Sequence, residues 1–406
     1  MSDLKFFKNR PELKDYDAPE KMSFSDRKTF DNCPRQYYYN KVAYTMLITG
    51  PLLEGNILHK SVEKIISIAE EEGCESIADF KAAIRKKDLK VPDIIKKEMD
   101  KEFGKNIQNP RYFRQRIDLE DKTRDKKGWI LKRINKSCKK LFKSSYFTKK
   151  DLHTEGYKGD QGPKIKFKKL NNGFYSEEWI RSPILGDWGQ IDQLHISDDG
   201  IEIIDLKTGK PRPEDEQQLY FYQVLWTDDP RSQNRPVHKL TLEYTNPDYK
   251  NKELTPLTNE QINERRDQYL RKKEEVKTYS TMNDFITDVK EDCRNCFCRQ
   301  ICDDYWKDIR SKINTEKKEW IDLEITVEKD DRSYKIATIN RKVISDDSKI
   351  KITFNENNDP FKNMMKEGEK FRILGAKKLS IEEGDEIPII KIYRTTEVYL
   401  HHHYGL

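Results

Sequence analysis

The chain is 406 residues long, enough for two or three domains. Charged residues make up 37% and hydrophobic ones 35%, but 11% aromatic content is too high for a disordered chain. Net charge is only +6, so total charge says little about nucleic acid and its distribution matters more.

No run of about 18 apolar residues occurs, so no membrane span is expected. The first residues, "MSDLKFFKNRPELKDYDAPEK", lack the apolar core of a secretory signal. The expected location is cytoplasmic, or the nucleoid or nucleus wherever DNA is, and not secreted. Seven cysteines, four of them crowded near residue 300, do not read as a disulfide framework.

Residues 1–22 read as a loose N-terminal arm. "SFSDRKTFDNCPRQYYYNKV" follows, with Ser23 or Ser25 as a helix cap. "EGNILHKSVEKIISIAEEEG" reads as a helix whose Ile57, Val62, Ile65 and Ile66 form an apolar side. A heavily charged helical pattern then runs over 64–150. Within it Ile130, Ile134, Cys138, Leu141 and Phe142 recur at helical spacing. Lys132, Lys136, Lys139, Lys140 and Lys143 take other positions, either as a solvated face or as a stripe that tracks phosphates.

"FYSEEWIRSPIL", "WGQIDQLHIS" and "GIEIIDLKT" are three expected strands, with a hairpin at Asp198-Asp199-Gly200. "PEDEQQLYFYQVLW" reads as a helix with Pro213 near its start, and "HKLTLEYTNP" as a fourth strand. The order describes a mixed α/β core. Beyond residue 318, "WIDLEITVE", "SYKIATINRKVI", "KIKITF", "KFRILGAKKLSI" and "IPIIKIYRTTEVYL" are five candidate strands of a small OB-like barrel. Lys351, Phe354, Phe371, Arg372, Tyr393 and Arg394 would give it charged and stacking faces.

The chemistry concentrates on Asp192, Asp205 and Lys207. Residues i and i+2 of a strand share a face, so Asp205 and Lys207 point the same way. If the hairpin brings Asp192 beside them, two carboxylates meet among apolar neighbours, which costs several kcal/mol each unless paired. Magnesium or manganese would resolve that cost, activate a water and stabilise charge on a phosphate. His59 fits as a further ligand, although a lone histidine on an amphipathic helix is more often structural. Gln218 and Tyr222 share a helix face and can hydrogen-bond phosphate oxygens. A surface salt bridge between an aspartate and Lys207 is the plain alternative, disfavoured by the apolar Ile203, Ile204 and Leu206.

"DCRNCFCRQIC" contains Cys293-x2-Cys296-x5-Cys302. Three local thiolates and a distant fourth suit a [4Fe–4S] cluster better than structural zinc, which prefers two close pairs. Cys33, beside Pro34, suits the fourth position better than Cys298, whose adjacency would force a tight geometry.

These marks resemble the PD-(D/E)XK nuclease superfamily in its RecB-like branch. They are Gly55-x-x-x-His59, Gly189-x-x-Asp192, Asp205-x-Lys207 and Gln218-x-x-x-Tyr222, in the family's order. "CPRQYYY" at Cys33 and the later cysteine trio resemble the iron–sulfur members, including the nucleases of CRISPR adaptation and AddB-type subunits.

The resemblance implies a restriction-endonuclease-like core, a mixed sheet flanked by helices. It also implies a metal-dependent DNA phosphodiesterase. His59, Asp192, Asp205 and the Leu206 main-chain carbonyl would hold Mg2+ or Mn2+, with Lys207 as the catalytic lysine. Cys33, Cys293, Cys296 and Cys302 would hold the cluster as a staple.

The expected layout is an arm over 1–22, a nuclease domain over 23–312 with a helical insertion over 64–150, and a β domain over 313–406. The expected function is an exonuclease on single-stranded DNA ends in repair, recombination or replication, with a separate helicase or recombinase as partner. A catalytically silent DNA-binding scaffold is the alternative. Tyr37–Tyr39 would either stack on a single strand or pack around the cluster.

Overall fold

The computed structural model describes residues 7, 14–43, 47–74, 76–141, 170, 172–246, 248–287, 289–312, 320–331, 334–339, 349–356, 359–378 and 387–401. Two short helices open it, α1 (Phe24–Asn32) and α2 (Pro34–Val42). Ser23 caps α1 in a capping box with Asp26, and Cys33 both ends α1 and caps α2, where Pro34 takes the first turn.

Helix α3 (Gly50–Glu71) buries Leu53, Ile57, Leu58, Val62, Ile65, Ile66 and Ala69, a stripe at helical spacing. Four more helices pack beside it: α4 (Ile77–Lys86), α5 (Val91–Asn106), α6 (Pro110–Asp125) and α7 (Lys127–Leu141). They share one apolar core that includes Ile95, Met99, Tyr112, Ile130 and Ile134. The side chains of Lys136, Cys138, Lys139, Lys140 and Lys143 lie outside the described residues.

A five-stranded mixed sheet follows, in the order β1 (Gly173–Ser182), β2 (Asp187–Ser197), β3 (Gly200–Lys207), β4 (Val237–Tyr244) and β5 (Lys252–Leu254). β1, β2 and β3 are antiparallel neighbours, while β4 pairs parallel to β3. The crossover between β3 and β4 is α8 (Pro213–Asp228), which packs on the sheet through Leu219, Phe221, Val224 and Leu225. The sheet is flanked by helices, with α8 packed on it and α3 approaching it at β1. This is the expected restriction-endonuclease-like α/β core.

Among the elements that went unrecognised in the sequence, two lie at the core sheet. The three-residue edge strand β5 is too short to show a period. Helix α9 (Asn259–Lys277) buries few residues, and its clearest signal is the Thr258/Gln261 capping box.

The C-terminal region forms a small closed barrel. β6 (Trp320–Asp330), β7 (Tyr334–Ile339) and β8 (Lys349–Phe354) make an antiparallel meander. β9 (Lys370–Lys378) returns to pair with β6, and β10 (Ile389–Ile392) closes the ring by pairing parallel to β8 and antiparallel to β9. That strand order is the OB-type Greek key. The last expected strand is broken in two. A turn at Tyr393–Thr396, closed by Tyr393 N donating to Thr396 Oγ1 and Thr396 N to Tyr393 O, separates β10 from β11 (Glu397–Leu400). Helix α10 (Asp303–Lys312) links the core to the barrel, and α11 (Pro360–Met364) lies between β8 and β9.

The barrel and core are packed together. Tyr305 and Trp306 of α10 join the barrel's apolar interior, as does Phe7, whose ring lies 5.1 Å from Phe361. The described parts of the arm are packed rather than loose, with Tyr16 5.0 Å from the Phe285 ring and Met22 buried. Two barrel residues expected on a binding face are buried instead. Phe371 sits in the interior, and Arg372 points out of the barrel into its junction with the core. There it meets Asp303 at 3.0 Å, Glu324 at 3.2 Å and the Gln300 carbonyl at 2.9 Å.

Arg111 of α6 makes a second tie. It is buried, holds Glu397 of β11 through two hydrogen bonds of 2.7 and 2.8 Å, and donates to the Phe297 carbonyl at 2.8 Å. Arg111→Ala should therefore cost about 3–5 kcal/mol by stranding the Glu397 carboxylate. The double change Arg111→Met with Glu397→Met should recover much of that loss, as read by denaturant unfolding.

Candidate active site

The sheet register assembles the acidic residues. Ser176 pairs with Gln193 and Glu178 with Ile191, so Glu177 stands opposite Asp192. Gln193 pairs with Ile204, and the next position along sets Asp192 opposite Asp205. Three carboxylates thus form one row across β1, β2 and β3. His59, on the α3 flank facing the sheet, puts Nδ1 3.6 Å from both Glu177 Oε1 and Asp192 Oδ1. The donor atoms of His59, Glu177 and Asp192 all lie within 4.8 Å of one another.

Asp205 is buried, and its Oδ2 lies 2.6 Å from Lys207 Nζ. Lys207 Nζ also donates to Gln218 Oε1 at 2.7 Å, and Gln218 Nε2 donates to Tyr222 Oη at 2.8 Å. The Asp-x-Lys strand and the Gln-x-x-x-Tyr helix are therefore joined in one hydrogen-bonded chain. Gly189 makes this approach possible, because a Cβ there would meet Tyr222 Cε1 at 2.9 Å. The Leu206 amide donates to Asp192 Oδ2 at 2.7 Å and ties the main chain beside Lys207 to that carboxylate.

Electrostatics follow from crowding. Burial pushes the Asp192 carboxyl up to about 7, with Asp205 and Glu177 adding to it against the pull of His59. Burial raises Asp205 too, opposed by Lys207. Burial alone would lower His59, but Asp192 and then Glu177 outweigh it and lift the imidazole to about 9. Tyr222 is held well above its usual range by burial and the two aspartates, so its hydroxyl keeps its proton. Lys207 and His59 offset only part of the row's negative charge, and hard oxygen donors with one imidazole fit a divalent cation.

Glu177 is the site residue that sequence reasoning missed. In "SEEW" nothing separates it from Glu178, whose carboxylate turns instead to Arg231 at 2.8 Å. Its signature is conformational. At φ +53 it occupies the left-handed region in mid-strand, a costly backbone state for a glutamate and one that clusters at functional positions.

A second group forms around the cysteines. Cys33 Sγ accepts from Gln36 N at 3.4 Å, Cys293 Sγ from Lys290 N at 3.4 Å, and Cys296 Sγ from Cys298 N at 3.4 Å. Burial raises Cys293, and burial pushes Cys302 up to about 12, with Cys33 and Cys296 contributing to both. Cys33 and Cys296 are thus near enough to Cys293 and Cys302 to act on both thiols. Hydrogen bonds from Cys298 draw Cys296 down to about 7. The buried Cys298 thiol itself points to Asn40 Oδ1 at 3.5 Å. Tyr37, Tyr38 and Tyr39 are buried in the same apolar cluster, with Phe285 and Ile301, so they pack and do not offer a stacking surface.

A helix bearing His59, an acidic row on three strands, and a lysine held by the following helix come together in one group whose donors could hold a divalent cation. The family model described as the PD-(D/E)XK nuclease superfamily matches residues 21–303, and the chain belongs to that superfamily. No curated protein matches the chain. No helix among the described residues is long and apolar enough to cross a membrane.

Glu177→Gln should weaken Mn2+ binding at least about tenfold, measured by calorimetry without DNA. Unchanged affinity would remove Glu177 from the site.

Proposed function

We propose that the protein is a deoxyribonuclease that hydrolyses phosphodiester bonds with Mg2+ or Mn2+, acting as an exonuclease on single-stranded DNA ends. The carrying observation is the row Glu177, Asp192 and Asp205 with His59 above it and Lys207 at its edge. His59, Asp192, Asp205 and the Leu206 carbonyl would hold the metal, with Glu177 as a further ligand. A cation held there would supply an activated water and stabilise charge on a phosphate oxygen. Lys207, kept protonated by Asp205 despite burial and steadied by Gln218, offers a fixed positive charge to the reacting phosphate. Tyr222, whose oxygen already accepts from Gln218, has its own proton free for a phosphate oxygen.

The reading extends to a [4Fe–4S] cluster on Cys33, Cys293, Cys296 and Cys302, stapling the two ends of the nuclease domain. The sequence spacing, three local thiolates and one distant, supports it over structural zinc, which prefers two close pairs. The division into a 1–22 arm, a 23–312 nuclease domain and a 313–406 barrel, a place in DNA repair, recombination or replication, and a separate helicase or recombinase partner belong to the same proposal.

End-labelled single- and double-stranded DNA, incubated with and without Mn2+, tests the activity. Metal-dependent shortening of the single strand from an end is expected. Lys207→Ala and Asp205→Ala should each lower the rate at least about a hundredfold with the fold retained. Full activity in either variant sinks the assignment. Protein purified without oxygen should be brown with about four irons per chain. Cys33→Ser should lose that iron, and retention there with loss in Cys298→Ser would overturn the ligand set.

A further inference from the structure

The barrel uses one side to dock. Asp322 and Glu324 on β6 and Arg372 on β9 face outward yet are buried against Arg299, Tyr305 and Asp303. The sheet register traces what the barrel presents elsewhere. Trp320 of β6 pairs with Lys377 of β9, Lys377 with Lys391 of β10, Lys391 with Thr353 of β8, and Thr353 with Tyr334 of β7. One transverse band thus crosses all five barrel strands, with an aromatic ring at each end and lysines between.

The band is organised by ring contacts. Tyr393 stands between Trp320, centroids 5.5 Å apart, and Lys391, whose Nζ lies 5.4 Å from its ring. At the other end Lys351 Nζ lies 5.1 Å from the Tyr334 ring. Trp320 is 39% exposed, a large apolar surface left to solvent. Lys351 and Lys391 have ring contacts but no carboxylate partner among the described residues. A chain of phosphates can meet the Lys351 and Lys391 ammonium groups while its bases stack on the rings.

We propose that this band is a second binding site, separate from the acidic row, for single-stranded DNA. Lysines positioned by aromatic faces suit a flexible single strand of any sequence. A duplex hides its base faces, so the rings favour an unpaired strand. The inference does not depend on the nuclease reading, and its test does not require cleavage.

The full chain is titrated with fluorescent oligo(dT) in EDTA over a range of NaCl. Trp320→Ala with Tyr334→Ala should weaken binding at least about tenfold. Lys351→Gln with Lys391→Gln should lower the salt slope by about 1.4, two contacts at roughly 0.7 each. Both double variants should keep the parent melting temperature and the parent affinity for a duplex of equal length. Unchanged oligo(dT) affinity and slope in both overturn the proposal. Equal loss of duplex binding, or tighter binding of an RNA strand to the band than of DNA, overturns its assignment to single-stranded DNA. Loss of cleavage in Lys207→Ala with oligo(dT) binding intact bears on the acidic row alone.

Discussion

Like charges forced side by side on one face of a sheet are the constraint on which the rest of this core depends. The hairpin register leaves Glu177, Asp192 and Asp205 no alternative to facing one another. Water cannot fully screen them, because α3 covers one end and the Asp205 carboxylate is buried. The protein offsets part of that repulsion with Lys207 and a His59 lifted to about 9. The remaining demand for positive charge suits a cation. The helices around the row serve the same end: α3 brings His59 through its buried apolar stripe, and α8 comes close over Gly189 to hold Lys207 through Gln218.

The cysteine loop is the other junction. Three guanidinium groups organise it. Arg111 holds the Phe297 carbonyl, Arg372 the Gln300 carbonyl, and Arg299 reaches Asp322 at 2.7 Å. A tight loop of this kind carries main-chain carbonyls that no strand or helix satisfies, and buried guanidinium groups supply the missing donors. The barrel furnishes the counter-charges Asp322, Glu324 and Glu397. Barrel and cysteine loop therefore support one another, and the outward positions Asp322 and Glu324 of β6 and Arg372 of β9 are not available to a ligand.

Much of this was legible in the linear pattern. Period-two alternation located β1 to β3, and helical spacing located α3 and α8. The ordered Gly-x-x-x-His, Gly-x-x-Asp, Asp-x-Lys and Gln-x-x-x-Tyr marks pointed to His59, Asp192, Asp205, Lys207, Gln218 and Tyr222, and the structure brings all six to one region. Local rules sufficed because each mark lies within one strand or one helical turn, where geometry follows from spacing alone.

What tertiary structure decided is which of two equivalent faces meets a partner. Glu177 and Glu178 are adjacent acids in one strand, and only pairing with β2 makes one a neighbour of Asp192 while the other meets Arg231. Tyr37 to Tyr39 and Arg372 look like exposed binding residues by type, yet they are buried where segments distant in sequence close over them. Cys33 reaches the Cys293–Cys302 loop the same way. Residue type and period determine what a segment can bury or bind, and contacts between remote segments determine which option the folded chain takes, because burial belongs to the pair of surfaces and not to either alone.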